Sequence, residues 1–355
     1  MNETIEIRKG EELNINGLIH LLKEELDIKV DSLNVSQFPG GYSNLTYLLV
    51  INDHIKWVLR KPPKGANIKS GHDMSREFKI LKALYPYYSK VPKPVHFCKN
   101  MDILGAEFYL MEKVDGWILR SDISQENIPS PVTMKHIFDV FADTFFELHQ
   151  IDYRNVGLEE LGNPDNYPER QILGWSKRYY QSKTDDFDSV DDLIKWLSSH
   201  IPLLSGAALI HNDFKYDNLI LNESNHDVKA ILDWEMSTIG DPLMDVGSSL
   251  GYWVNGDDPD WMQSIKLSPT TFPGNPTREG LLHTYALKSG KDPGNGVFYY
   301  AYGMLKLAVI AQQIYARYKA GHTSNPKFSG LNKVVEACST MAIQAINRKR
   351  LDNLF

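Results

Sequence analysis

The stretch "LIHNDFKYDNLILN", residues 209–222, sets a histidine, two aspartates, a lysine and two asparagines between two short apolar runs. So polar a loop between segments that look buried is costly unless each group has a partner. The chain that follows, "NLILN-ESNH-DVKAILDW", puts turn-forming residues between two apolar runs, and this spacing predicts a hairpin. Residues opposite each other in an antiparallel pair sit about 4.5–5.5 Å apart, so such a hairpin would set Asn218 beside Asp233. An amide oxygen and a carboxylate that close suit a hard cation. Mg²⁺ takes few protein oxygens and completes its shell with water and substrate phosphates. Asp213, five residues before Asn218, is placed to orient a hydroxyl and accept its proton, and Lys215 adds a cation for a transferring phosphate. His211 reads as a brace within the loop. A positioned nucleophile, a metal and charge stabilisation are what phosphoryl transfer requires.

Outward from this loop the chain divides by pattern. Residues 11–26 carry leucines at helical spacing. "LNVSQF", "LTYLLVI" and "IKWVLRK" then read as three short strands, separated by "PGGYSN" and "NDH". "HDMSREFKILKALY" is an amphipathic helix, which "VPKPVHFCKN" ends because Pro92 and Pro94 cannot continue it. "EFYLMEKVDG" reads as another strand. From about residue 130 the pattern is helical, beginning with "MKHIFDVFADTFFELHQ" and resuming after residue 276, apart from the strand-like pieces around the polar loop. The expectation is an α+β, bilobal fold: residues 1–115 a small antiparallel sheet lobe with one main helix, residues 116–355 a larger, mostly helical lobe.

These motifs carry a family resemblance. H-x-D-x-K-x-x-N, then D-x-E after a hairpin, resembles the catalytic core of the protein-kinase-like superfamily, and within it the aminoglycoside and choline phosphotransferase branch. "FPGGYSNLTYLL" resembles the glycine-containing nucleotide loop, "WVLRKPP" the strand that normally offers a lysine to the phosphates, and "REFKILKAL" the helix whose glutamate pairs with that cation. "FYLMEKVDG" resembles the hinge, and "GDPLMDVG" the stretch after the metal aspartate. "YYAYGMLKLAVIAQQIYARY" is similar to the kinase-like domain fused to acyl-CoA dehydrogenases in animals. The resemblance implies ATP (or GTP) and Mg²⁺ as cofactors, with Asp213 and Lys215 catalytic and Asn218 and Asp233 on the metal. It places Gly40, Gly41, Ser43, Arg60, Glu77 and Glu112 on the nucleotide. By the same resemblance Asp245 braces the backbone of the catalytic loop.

Two departures stand out. Where the branch usually shows glycine, this chain has Asn212. Where it shows the phosphate lysine, this chain has Arg60 followed by Lys61. Strand neighbours point to opposite faces, so one of the two reaches the site. Both faces carry apolar residues, and alternation leaves the choice open, while the resemblance favours Arg60.

Plainer readings fit other residues. Gly40 and Gly41 alone would suggest only a hairpin turn. Asp241 and Pro242 read as a helix N-cap and first position, and Asp245 as a first-turn carboxylate. Glu235 reads first as structural and His149 as a core residue. The acidic run "DDFDSVDD", residues 185–192, reads as a solvated helix start.

Bulk properties narrow the classes further. The net charge of -7 over 355 residues argues against a general nucleic-acid binder. Two cysteines are too few for a disulfide framework or a cysteine-based zinc site, which points to the reducing cytoplasm. The N-terminal "MNETIEIRKGEEL" lacks the apolar core of a signal peptide. The most membrane-like run, residues 301–318, is interrupted by Lys306, Gln312, Gln313 and Arg317, and reads as a core helix. The resulting expectation is a small-molecule kinase acting on a hydroxyl, with a hydroxylated acyl-CoA suggested by analogy. A kinase-like nucleotide-binding module without transfer is the alternative. No oligomeric state follows from the sequence.

Overall fold

The computed structural model describes residues 3–39, 44–63, 72–322 and 325–355. The chain packs into two compact units, residues 1–117 with 229–236, and residues 118–228 with 237–355. The sequence pattern groups 229–236 with the helical half, whereas the chain returns there to the first unit.

The first unit contains α1 (Ile15–Glu24), β1 (Leu33–Gln37), β2 (Leu45–Ile51), β3 (Ile55–Lys61), α2 (Met74–Leu84), β4 (Pro94–Cys98), α3 (Met101–Leu104) and β5 (Phe108–Glu112). The five strands form an antiparallel sheet in the order β1-β2-β3-β5-β4. Leu18, Leu21, Tyr47, Leu49, Leu59, Phe108 and Leu110 make one core between the sheet and α1. The three N-terminal strands fall where the apolar runs predict them. The first helix is shorter than its leucine pattern, because Asn14 caps it by accepting from the Gly17 amide. Residues 94–98, which the prolines suggest only as a break, form a strand. Pro94 opens it, and β4 lies at the sheet edge, where a missing N–H costs no ladder bond.

The second unit contains α4 (Pro131–Gln150), α5 (Tyr167–Ser182), α6 (Asp188–Ser199), β6 (Ala208–Ile210), β7 (Leu219–Leu221) and the start of β8 (Val228–Ile231). It continues with β9 (Thr238–Gly240), α7 (Pro242–Gly251), α8 (Asp260–Gln263), α9 (Arg278–Ser289), α10 (Gly296–Lys319) and α11 (Leu331–Arg348). Its frame is α10, which is buried over most of its length and packs on α5, α7 and α11. The backbones of α7 and α10 approach closely: a Cβ on Gly303 would overlap the Gly247 carbonyl oxygen, so that crossing requires glycine. The acidic run at 185–192 leads into α6 and puts Asp188 and Asp191 in its first turn. Asp241 caps α7 by accepting from the Leu243 amide, with Pro242 next, as their order predicts. β9, which pairs with β6, is three residues long and has no periodicity to betray it.

Candidate active site

In the first unit the sheet and α2 converge on Arg60. Asp73 caps α2 through the Arg76 amide and so fixes the register that brings Glu77, one turn in, against β3. Arg60 Nη1 lies 2.8 Å from Glu77 Oε1, and both side chains are buried. Its Nη2 lies 2.8 Å from Asp233 Oδ1 and 3.5 Å from Glu235 Oε2. The returning segment is tied in by Ile231 N, which donates to the Lys90 carbonyl, and by Trp234 Nε1, which donates to the Ile231 carbonyl. Burial disfavours the Arg60 charge, but Glu77, Tyr109, Asp233 and Glu235 outweigh it and raise the guanidinium pKa. Glu235 also accepts from Asn44 Nδ2 at 2.7 Å.

The choice that strand alternation leaves open is settled here. Lys61 Nζ turns to the other face and donates to the Leu104 carbonyl at 2.8 Å, so Arg60 is the residue paired with the helix glutamate. Glu112 stands apart, its half-exposed carboxylate 2.8 Å from Lys93 Nζ and its amide donating to the Lys93 carbonyl. Gly40, Gly41 and Ser43 lie outside the described residues.

In the second unit β6 delivers the chain into the polar loop, and its groups do find partners. Asp213 is buried, with Lys215 Nζ 3.0 Å from its Oδ2. Asn218 Nδ2 donates to the Asp213 carbonyl at 2.8 Å and to Asp213 Oδ2 at 2.9 Å. Burial pushes the Asp213 carboxyl up, but Lys215, Lys306, a hydrogen bond from Tyr252 and His211 together hold it below the ordinary range. Lys215 is held above its ordinary value, because Asp213 and Tyr252 outweigh the effect of burial. Its ammonium also sits 4.3 Å from the centre of the Tyr252 ring.

The backbone of this loop is fixed from behind by α7. Asp245 Oδ2 accepts from the His211 amide and Oδ1 from the Asn212 amide, each at 2.7 Å. Asp245 also lies 3.1 Å from His149 Nε2, and His149 Nδ1 lies 2.6 Å from the Tyr285 hydroxyl. The core histidine of the sequence pattern thus belongs to the loop's support. His211 accepts from the Asp213 amide through Nδ1 at 3.2 Å, as a brace should. Asn212 has φ +64°, the left-handed region. Glycine enters that region freely, and asparagine is among the few other residues that do so readily. The departure at 212 is therefore conformationally conservative.

Neither Lys306 nor Tyr252 is marked by the motif, yet both act on Asp213. Lys306 stands out in the sequence only as a charge in an apolar helix. Its ammonium donates to the Asn212 carbonyl. Tyr252 lies just beyond α7, in a stretch with no recognisable pattern.

The model of the phosphotransferase enzyme family APH matches residues 34–274. The chain belongs to that family. Its rat relative, "Acyl-CoA dehydrogenase family member 11" from Rattus norvegicus, is 35% identical over 332 residues, covering 91% of this chain and 42% of that protein. The chain thus spans less than half the length of that relative. Among solved structures, a candidate aminoglycoside phosphotransferase from Ralstonia eutropha has a TM-score of 0.78 at 28% identity, covering 95% of this chain and 99% of that one. The GDP complex of aminoglycoside 2'-phosphotransferase-IIIa has a TM-score of 0.61 at 17% identity, covering 92% and 99%. The protein-kinase-like α+β fold implied by the catalytic motif is the fold of this phosphotransferase-family member. Among the described residues, no helix is long and apolar enough to cross a membrane.

Proposed function

We propose that this family member is a small-molecule kinase that moves the γ-phosphoryl of ATP or GTP to a hydroxyl. The observation that carries this reading is the setting of Asp213: a buried carboxylate in contact with both Lys215 and Asn218, on a loop whose amides are fixed by Asp245. Its Oδ atoms orient the acceptor hydroxyl and take its proton. Lys215 and Arg60 offer positive charge to the phosphates, and Glu77 anchors the Arg60 guanidinium. Arg60 presents a planar fork where a lysine would present a point charge. The loop holding Gly40, Gly41 and Ser43 is proposed to meet the phosphates through its amides, and the Glu112 segment to meet the base.

Asn218 and Asp233 are proposed as the Mg²⁺ ligands, and their chemistry fits. Asn218 spends its Nδ2 on Asp213, which leaves its amide oxygen for a cation. Asp233 spends Oδ1 on Arg60, which leaves Oδ2. Both are hard oxygen donors of the kind Mg²⁺ selects. When bound, the ion neutralises phosphate charge.

A hydroxylated acyl-CoA or related acid is proposed as the acceptor, supported by similarity to a relative named as an acyl-CoA dehydrogenase family member. A cytoplasmic site of action is supported by two buried cysteines that form no disulfide. The test is Asp213→Ala assayed with ATP, Mg²⁺ and a panel of hydroxyl compounds. General-base loss should lower kcat by about 10²–10⁴-fold, with nucleotide affinity, read from a thermal shift, nearly intact. Wild-type turnover in that variant would remove Asp213 from its role. A nucleotide-dependent thermal shift with no phosphorylated product from the wild type would leave a binding module instead.

A further inference from the structure

Lys306 is a lysine almost fully buried in the second unit, on a helix the phosphotransfer reading does not use. Burying an ammonium costs free energy unless its donors and its charge are answered. Its donors are answered by main chain and hydroxyl: Nζ donates to the Asn212 carbonyl and, at 3.1 Å, to Ser248 Oγ on α7. Its charge is answered at longer range by Asp213 and Asp245, and opposed by Lys215 and by Arg178 on α5. The Trp175 ring, also on α5, lies 5.9 Å away. The close crossing of α7 and α10 at Gly247 and Gly303 makes this reach possible, since Gly303 is one turn before Lys306.

The peptide that Lys306 grips has a special position. Asn212 is the left-handed residue of the loop, and its carbonyl belongs to the peptide whose amide is that of Asp213. Asp245 fixes the amides on the near side of that peptide, at His211 and Asn212. Lys306 fixes its oxygen. We propose that Lys306 is a positioning residue for Asp213, locking the 212–213 peptide through the Asn212 carbonyl so that the carboxylate keeps its aim. The inference rests on the phosphotransfer reading for its kinetic consequence, but not for its structural one. Burial pulls the amine down to about 8, against the upward pull of Asp213 and Asp245.

The test compares full-length wild type, Lys306→Met and Lys306→Gln by amide hydrogen exchange and by kinetics with ATP and Mg²⁺. The expected result for Lys306→Met is faster exchange confined to residues 211–214. Misaim of the base should lower kcat by about tenfold or more, with KM for nucleotide within about twofold. Lys306→Gln keeps a donor without the charge and should restore part of both losses. Unchanged exchange at 211–214 with wild-type kcat overturns the proposal. So does faster exchange spread evenly through α7 and α10, which would mark a merely structural lysine. Should Lys306→Met fail to fold, Lys306→Gln alone decides by the same exchange criteria. A wild type that phosphorylates nothing sinks the phosphotransfer reading, while the exchange comparison still judges Lys306.

Discussion

The Arg60 cluster of the first unit and the Asp213 loop of the second hold charge in two different ways. Around Arg60, side chains hold side chains: one guanidinium answers Glu77, Asp233 and Glu235, three carboxylates drawn from α2 and the segment returning after β8. Around Asp213, side chains hold the main chain: Asp245 takes the amides of 211 and 212, Lys306 takes the carbonyl of 212, and Asn218 takes the carbonyl of 213. The first arrangement depends on one cation, and its removal leaves several acids without their counter-charge. The second fixes a backbone, and each support can be loosened separately. Under the proposed function, a group that meets phosphates suits the first arrangement and a base that keeps one aim suits the second.

The sharpest way to break this comparison is Arg60→Met. It leaves Glu77 buried without its cation, and removing one partner of a buried pair costs about 3–5 kcal/mol. Denaturant unfolding should show that loss, and hydrogen exchange should place it in β3, α2 and residues 231–236. A variant as stable as the wild type would mean that the carboxylates do not depend on Arg60.

Asp245→Asn is the matching test in the second unit. It keeps the shape but weakens charge-assisted bonds to two amides, for a loss of about 1.5–3 kcal/mol. The pH dependence follows from the direction of the Asp245 shift. Burial raises its pKa, but the hydrogen bond from His149, the charges of His149 and His211, and the His211 amide together bring it below the ordinary value. A folded pKa below the unfolded one gives stability that is present above the unfolded value and lost as pH falls through the folded one. Wild-type stability should therefore decline on the acid side of the ordinary aspartate range, and Asp245→Asn should flatten that decline. An identical acid limb in both proteins would assign it elsewhere.

The smallest effect is expected at residue 212. Asn212→Ala places a Cβ-bearing residue without asparagine's local hydrogen bonding in the left-handed region, at about 1–2 kcal/mol. It also removes the bonds to the Tyr167 hydroxyl. Asn212→Gly regains the backbone freedom and should recover part of the loss in a thermal melt. If alanine and glycine were equivalent there, backbone strain would not be the reason for asparagine.

Much of this was legible in the sequence because it is local. Strands β1, β2 and β3 are apolar runs cut by turn residues. The cap of α7 is the order Asp241, Pro242, and the spacing from Asp213 to Asn218 is a property of one loop. Asp245 could be anticipated as a brace only through the resemblance. Lys306 and Tyr252 were not legible, because each lies far along the chain from the loop it supports. β4 was hidden because proline signals a break in any context, and only its place at the edge makes a strand possible.

By itself, then, the sequence determined the order of elements, the polar loop and the family pattern, since these depend on neighbours along the chain. The tertiary structure decided which of Arg60 and Lys61 meets Glu77, why Asn212 tolerates a glycine's place, and how a lysine inside α10 comes to hold the Asn212 carbonyl. Those outcomes turn on which face of a strand meets a helix and on how closely two helices cross at Gly247 and Gly303. Such geometry comes from packing among distant residues, which no local pattern records.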